Sequence, residues 1–176
     1  MAEVCYSCGR PAYFYSPYLK YNLCKKHFQK MVIRRIRSGL IAGGIKDKKF
    51  RFAADDSIGF KLNRLIFKED KNSGAMLMNY LLQDFAMETI TYFISGSVPT
   101  IKIKGKGYVS PLFLISEAEA VRFVESKSGK AGRVQRRARD AVIFNLLTTV
   151  EKKRPGGLIS LVKMGFTTMK RLYRTC

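Results

Sequence analysis

The sequence has few acidic residues, one histidine and four cysteines, and each shortage narrows the range of functions. Asp and Glu number 13 against 33 Lys and Arg, which gives a net charge of +20 in 176 residues. The single histidine, His27, is a predicted metal ligand, so no histidine is left to act as the base of a Ser or Cys catalytic triad. No apolar run approaches the roughly 20 residues that span a bilayer, and the N-terminus lacks the apolar core of a signal peptide. We expect a cytoplasmic protein with no membrane partner.

Three of the four cysteines and the histidine fall in one pattern near the start of the chain. Cys5 and Cys8 are followed, after fifteen residues, by Cys24 and His27. Three thiolates and one imidazole suit a tetrahedral Zn²⁺ ion, and four protein ligands leave no open position for catalysis. We therefore predict one structural zinc ion, the alternative being buried cysteines beside an unrelated histidine. Cysteines used as metal ligands, with no even set left for disulfides, indicate a reducing compartment.

The positive charge lies at the two ends of the chain. Residues 1–50 carry a net charge of +9, residues 51–126 carry 0 and residues 127–176 carry +11. Charge of this density is usually offset by a polyanion, so the basic ends predict contact with RNA. A solvated basic surface is the alternative. The candidate RNA-binding residues are Arg10, Lys20, Lys30, Arg34, Arg35, Arg37, Lys130, Arg133, Arg136, Arg137, Arg139, Lys170, Arg171 and Arg174.

The aromatic residues between the two ligand pairs have two possible roles. A module this small has little other core, so most of them are expected to pack beneath the metal. The others, interleaved with Arg10 and Lys20, are candidates for stacking on exposed bases. The residues concerned are Tyr13, Phe14, Tyr15, Tyr18 and Tyr21.

Hydrophobic periodicity predicts an α+β chain, or a remnant of an α/β chain, that is mostly helical. A zinc-binding module with a basic helix occupies residues 1–40, where Phe28, Val32 and Ile36 recur every four residues. A core follows over residues 41–126. Residues 127–176 form a basic helical segment, which the Pro-Gly-Gly sequence at 155–157 divides into two helices.

The core is expected to contain further helices and strands. A long helix is predicted from about Asn72 to Phe93, and another opens with the capping box Ser116-x-x-Glu119. Ile101 and Ile103 alternate with lysines, which is typical of a half-buried strand. The signals between residues 46 and 71 are weak.

Four stretches, taken in order, resemble the PP-loop tRNA 2-thiouridine synthetases. The zinc pattern leading into a basic helix resembles their N-terminal finger. NSGAMLMNYLLQD (72–84) resembles their DDEAQTxLMNLLRGD helix, and VSPLFLISEAEAVRFV (109–124) resembles IKPLxxIPExEVxxYA. RRARDAVIFNLLTTVEKKRPGGLISLV (136–162) resembles the two helices and Pro-Gly turn that close their catalytic domain. The resemblance implies the remains of a tRNA-thiolation fold.

The departures from that family concern its chemistry. The family binds ATP through SGGxDS in a strand-to-helix loop, and the nearest remnants here, at 54–57 and 72–74, lack the paired glycines. Asn72 and Ser73 stand where the resemblance places the acidic pair of GHNLDDE. Cys176 is the one cysteine outside the zinc pattern, so the catalytic and cluster-binding cysteines have no counterparts. About 30 residues separate the first helix from the Asn72 helix, too few for the family's βαβα units.

We therefore expect a non-catalytic, zinc-containing RNA-binding protein of the translation apparatus. Its partner would be ribosomal RNA or tRNA, in a ribosome or another ribonucleoprotein, with no nucleotide cofactor. An accessory subunit or divergent enzyme of tRNA 2-thiolation is the first alternative. A DNA-binding zinc protein is the second, although the sequence has no recognisable recognition helix.

Overall fold

The computed structural model of the chain describes residues 3–44, 49–96, 103–130 and 141–172, with the backbone alone at 166 and 168–172. The helices are α1 (Lys25–Ala42), α2 (Ile58–Ile66), α3 (Leu82–Ser95), α4 (Glu117–Ser128), α5 (Ala141–Lys153) and α6 (Gly157–Leu172). The strands are β1 (Phe14–Ser16), β2 (Tyr21–Leu23), β3 (Lys49–Phe52), β4 (Lys68–Glu69), β5 (Met76–Leu77), β6 (Lys104–Gly105) and β7 (Tyr108–Val109). The mostly helical α/β fold that the sequence predicted is confirmed.

Within the described residues, the strands form a hairpin and a mixed sheet. The hairpin pairs β1 with β2, and the sheet has the order β4–β3–β5–β7–β6. Its first four strands are parallel, and β6 pairs antiparallel with β7. Phe50 and Phe52 alternate with exposed residues on β3 and pack with Leu77 and Val109 in one apolar cluster. This strand lies in the stretch 46–71, where the sequence signals are weak.

Helix α1 joins the N-terminal hairpin to the rest of the core. Phe28, Val32 and Ile36 are fully buried, as the four-residue spacing predicts. They share one apolar cluster with residues of α2, α4 and the hairpin, among them Leu62 and Phe123. The predicted metal ligands Cys5 and Cys24 belong to the same cluster.

A second apolar cluster joins α3 to the last two helices. Phe85 of α3 packs with Leu147 of α5 and with Leu158 and Val162 of α6. The Pro-Gly-Gly sequence separates α5 from α6, as predicted. No helix in the described part of the chain is long and apolar enough to cross a bilayer.

The predicted helix from Asn72 to Phe93 is wrong over its first ten residues, 72–81. Met76 and Leu77 form the central strand β5, and α3 begins only at Leu82. A strand between two parallel neighbours is apolar on both faces, so its sequence reads like a buried helical turn. Asn72 and Ser73 therefore precede β5 rather than opening α3.

The segment that appeared too short for α/β units contains one. Strand β3, helix α2 and strand β4 form a β-α-β unit in which the two strands are parallel. The capping box is confirmed, because Ser116 Oγ accepts from the N–H of Glu119 and the Glu119 carboxylate accepts from the N–H of Ser116. Of the strand predicted at 101–104, Ile101 and Lys102 lie outside the described residues, and Lys104 begins β6.

Candidate metal centre and nucleic-acid interface

The four predicted metal ligands converge on one point. The Sγ atoms of Cys5, Cys8 and Cys24 and a ring nitrogen of His27 all lie within 4.8 Å of one another. Cys5 Sγ is 3.4 Å and Cys24 Sγ is 3.5 Å from His27 Nδ1, and the Cys8 and Cys24 sulfurs are 3.6 Å apart. A tetrahedral zinc ion would hold two sulfurs about 3.8 Å apart and a sulfur and a nitrogen about 3.6 Å apart. The donor set and its spacing fit such an ion.

Local backbone geometry brings the two ligand pairs together. The Cys5 carbonyl accepts from the N–H groups of Cys8 and Gly9, and the Cys5 N–H donates 2.7 Å to the Arg10 carbonyl, which closes a tight knuckle. Gly9 has a φ of +67°, a conformation that favours glycine. Cys24 is the N-cap of α1, so His27 lies in the first turn of that helix. A short turn and a helix start thus hold all four ligands.

Without a bound cation, the neighbouring cysteine thiols do not readily ionise together. Burial raises the pKa of the Cys5 thiol, but hydrogen bonds from the Cys24 backbone and from His27 outweigh it and lower that pKa to about 6. The backbone at Arg10 lowers the pKa of Cys8, yet burial and the neighbouring thiols raise it overall above its usual value. A bound divalent cation would relieve this conflict by stabilising all the thiolates.

One exposed face of α1 is basic. Lys26, Lys30, Arg34 and Arg37 are exposed and follow one another at spacings of four, four and three residues. Residues at these spacings share a face of a helix. The helix contains no acidic residue. Three of the predicted RNA-binding residues therefore lie in a row, together with Lys26, which the sequence analysis did not select.

Arg35, another predicted RNA-binding residue, forms an ion pair within the chain. Its Nη1 atom is 2.7 Å from a carboxylate oxygen of Glu119, and the two side chains are 14% and 6% exposed. Its guanidinium also lies over the ring of Tyr18, 5.0 Å from the ring centroid. This arrangement ties α1 to the start of α4 and gives Arg35 a structural role.

The remaining predicted RNA-binding residues divide into described and undescribed positions. Arg10, Lys20 and Lys130 are exposed. The side chains of Lys170 and Arg171 on α6 lie outside the description. So do the whole residues Arg133, Arg136, Arg137, Arg139 and Arg174.

Most aromatic residues of the hairpin pack, and a few present rings to solvent. Tyr13 and Phe14 contact Phe28, which confirms the packing role for these two. Tyr15 and Tyr18 are 52% and 42% exposed. These two rings are available for contact with a ligand or partner.

Tyr6, which lies between the first two predicted metal ligands, was not among the binding residues predicted from the sequence. Its ring stacks on Tyr21 at 4.7 Å between centroids, yet the residue is 77% exposed. Its position between Cys5 and Cys8 could have identified it as a candidate, because a side chain between two ligands of one knuckle faces away from the metal.

The loop from β3 to α2 contains the remnant Ala54-Asp55-Asp56-Ser57. Ser57 is the N-cap of α2, and its Oγ accepts from the N–H of Phe60. The Asp55 carboxylate accepts from the N–H of Ser57 at 2.9 Å and from its hydroxyl. A strand-to-helix loop normally offers such donors to a bound phosphate. Here a carboxylate of the chain itself occupies them.

A buried asparagine pair holds the other side of this loop. Asn79, 3% exposed, donates its amide N–H to the Ala53 carbonyl, and its Oδ1 accepts from Asn63 Nδ2 at 2.9 Å. A Cβ at Gly59 would lie 2.2 Å from the Asn79 carbonyl oxygen, so α2 touches this backbone directly. The loop is fixed from both sides by polar contacts within the chain.

Comparison with known proteins bears on the fold. No protein-family model and no curated protein matches the sequence. Among solved structures, the U34-tRNA thiolase NcsA from Methanococcus maripaludis, determined with its [4Fe-4S] cluster, matches with a TM-score of 0.79. The match covers 97% of this chain and 89% of that one at 13% sequence identity. The resemblance to a tRNA-thiolation fold that four short stretches indicated is thus confirmed at the level of the fold.

Proposed function

We propose that this protein is a non-catalytic, zinc-containing RNA-binding protein of the translation apparatus, built on a tRNA-thiolation fold. Its RNA would be tRNA or ribosomal RNA, in a ribosome or another ribonucleoprotein. The observation that carries the non-catalytic part is the Asp55 carboxylate bonded to Ser57 in the strand-to-helix loop. The observation that carries the RNA-binding part is a net charge of +20 concentrated at the two ends of the chain.

The loop argues against nucleotide binding on electrostatic grounds. A triphosphate brought to the N-terminus of α2 would have to displace the Asp55 carboxylate from the N–H and hydroxyl of Ser57. The Asp55 carboxylate would also lie within a few ångströms of the phosphate, and repulsion between two unit charges at such a distance amounts to about 4 kcal/mol at the dielectric constant of a protein surface. The loop is therefore suited to stabilising the fold rather than to holding ATP.

The number of cysteines also argues against a catalytic role. The relative's structure contains a [4Fe-4S] cluster, which cysteine thiolates hold in proteins. Here Cys5, Cys8 and Cys24 belong to the metal centre, and Cys176 is the one cysteine left in the sequence. One thiol does not hold such a cluster. Zinc is the metal we assign to the Cys₃His centre, because thiolate and imidazole donors in a tetrahedron favour it.

The surface of the N-terminal part is suited to a polyanion. The basic row on α1 rises 1.5 Å per residue, so Lys26 and Arg37 lie about 16 Å apart along the axis and span several phosphates of an RNA strand. Tyr6 in the knuckle has an exposed ring, and Arg10, next to the knuckle, is also exposed. Cations that follow a backbone and aromatic rings that stack on bases are the usual means of binding single-stranded RNA.

The second candidate is an accessory subunit of tRNA 2-thiolation. The fold match over 97% of the chain favours it, since a subunit that only positions tRNA needs neither ATP nor a cluster. The two candidates share RNA binding and differ in the RNA and in the partner proteins.

The experiment is to purify tagged protein from its own cells in moderate salt and to sequence the RNA bound to it. Enrichment of ribosomal RNA together with sedimentation with ribosomes supports a ribosomal role. Enrichment of tRNA with a thiolation enzyme supports the second candidate. If protein carrying its metal brings down no RNA above a tag-only control, RNA binding is wrong.

A further inference from the structure

A cavity of about 390 Å³ lies between the N-terminal hairpin and the last two helices. Tyr15 and Pro17 line it from the hairpin, and Phe144, Leu147 and Leu158 line it from α5 and α6. Cavities that bind small ligands commonly measure about 300 to 1,000 Å³. This one is large enough for a single small aromatic ligand.

The polar groups of the cavity are few, and two of them are engaged by the chain. Glu151 accepts from the N–H groups of Gly156 at 2.9 Å and Leu158 at 3.1 Å, so its charge is held at the N-terminus of α6. Gln83 accepts at its side-chain oxygen from the N–H of Glu117, and any bond it makes to a ligand comes from its Nε2 donors. The lining thus combines apolar walls with donors suited to a carbonyl-bearing ring.

The rim of the cavity carries positive charge. Lys152 belongs to the lining, and it is followed by Lys153 and Arg154, all three of them exposed. An apolar cavity bordered by lysine matches a ligand that has a flat apolar part and an anionic part. A nucleotide has this composition.

We propose that the cavity takes the base of one unpaired nucleotide of the bound RNA while Lys152 contacts its phosphate. The proposal rests on the RNA-binding function proposed above and assigns it a specific site. Tyr15, 52% exposed, and Phe144 supply rings that stack on a base of any identity. Unpaired bases in loops and bulges are the part of an RNA that a protein can take out of the stack.

An apolar side chain of a partner protein is a different class of occupant that the walls also accommodate. It would leave the Lys152 ammonium without an anionic counterpart, and it is disfavoured by the excess of positive charge along residues 127–176, which is +11. Charge complementarity therefore selects the nucleotide.

The test uses two adjacent threonines of α5 that differ in position relative to the cavity. Thr148 lines it, and Thr149 is exposed; each donates its hydroxyl to the carbonyl four residues earlier, at 2.9 Å. Thr148→Phe fills the cavity without changing charge, and Thr149→Phe is the matched control. The probes are an RNA hairpin with one bulged 2-aminopurine and the same hairpin fully paired, with circular dichroism and thermal melting to show that both variants fold.

We expect the wild-type protein to bind the bulged hairpin more tightly and to change its 2-aminopurine fluorescence. Thr148→Phe should lower that affinity by about 5- to 100-fold, the range that loss of one stacked base predicts, and abolish the fluorescence change. Binding of the paired hairpin should be unchanged, and Thr149→Phe should resemble wild type. Lys152→Gln should reduce the salt dependence of binding by about one phosphate contact more than Lys153→Gln does.

The outcomes separate this proposal from the broader function. If the wild-type protein binds neither hairpin nor cellular RNA, the RNA-binding function is wrong. If it binds both hairpins equally, or if Thr148→Phe binds the bulged hairpin as wild type does, the cavity proposal alone is overturned. Loss of a protein partner in Thr148→Phe, with hairpin binding intact, would assign the cavity to that partner and likewise overturn the proposal.

Discussion

The guanidinium of Arg35 and the carboxylate of Glu119 form a buried ion pair 2.7 Å apart, which joins the helix that follows the metal knuckle to the capping box of α4. Removal of one member of a buried pair leaves the other charge without compensation and costs about 3 to 5 kcal/mol. Arg35→Met should therefore lower the free energy of unfolding by about 3 kcal/mol in urea denaturation.

The neighbouring Arg34 provides a matched control for that pair. It is exposed on the basic row of α1, so Arg34→Met should change stability by less than about 0.5 kcal/mol and should weaken RNA binding instead. If Arg35→Met and Arg34→Met lost stability equally, the ion pair would contribute no more to the free energy of unfolding than an exposed arginine does.

The metal centre predicts one zinc ion per chain by elemental analysis. Cys24→Ala removes a ligand and the N-cap residue of α1, so it should lose the zinc and make residues 1–40 sensitive to proteases. Cys176→Ala, which changes the one cysteine outside the pattern, should keep the zinc. A full-length protein that is folded but free of metal would contradict this prediction.

The loop from β3 to α2 predicts weak or no binding of ATP. Isothermal calorimetry with Mg-ATP should show no binding in the micromolar range, because Asp55 already occupies the Ser57 donors. Micromolar affinity, or adenylation of tRNA, would shift the function to an enzyme of tRNA modification.

The exposed ring of Tyr6 predicts a contact with single-stranded RNA. Tyr6→Ala should reduce affinity for an unstructured oligonucleotide by at least about 5-fold, the lower limit for loss of one stacked base. Tyr6→Phe keeps the ring and should bind as wild type does. Phe93→Ala removes a ring that is 48% exposed on α3 and should have no effect. Equal affinity of Tyr6→Ala and wild type would remove the knuckle from the interface.

The arginines before α5 predict a steep dependence of binding on salt. Changing Arg133, Arg136 and Arg137 together to Gln should weaken binding to every RNA by a similar factor and flatten the salt slope by roughly two to three. Lys61, Arg64 and Lys68 lie in the part of the chain without net charge, and their triple change to Gln should have a smaller effect. An unchanged slope in the first variant would assign those arginines to the fold or to a protein partner.

Local rules were sufficient for the parts of the fold that depend on neighbouring residues. The ligand spacing of the knuckle, the four-residue repeat of α1 and the Ser116–Glu119 box each correspond to what the structure shows. The capping box closes within one turn and the repeat of α1 within one helix. The metal ligands lie in two pairs separated by fifteen residues, but their residue types and spacing identify the site in the sequence.

Features that depend on distant residues were not predictable in the same way. Leu77 is buried because two strands flank it, both of them more than 20 residues away in sequence, and periodicity alone assigned it to a helix. Arg35 reads as one more cation of a basic helix, and its partner Glu119 is 84 residues away. The cavity likewise needs three separate segments of the chain and has no sequence signature.

The contacts around the β3–α2 loop make its conformation difficult to change by single substitutions. Ala53→Gly and Ala54→Gly would make the backbone more flexible, but Asp55 would still accept from Ser57, and Asn79 would still donate to the Ala53 carbonyl. Replacing Asn79 alone would leave the Ala53 carbonyl without its partner and Asn63 with only the Met78 carbonyl, at a cost of about 1 to 3 kcal/mol for a buried group left unpaired, and would create no phosphate site. Single substitutions in this loop would therefore lose stability without freeing the Ser57 donors, so the loop is expected to tolerate change only when several of its residues change together.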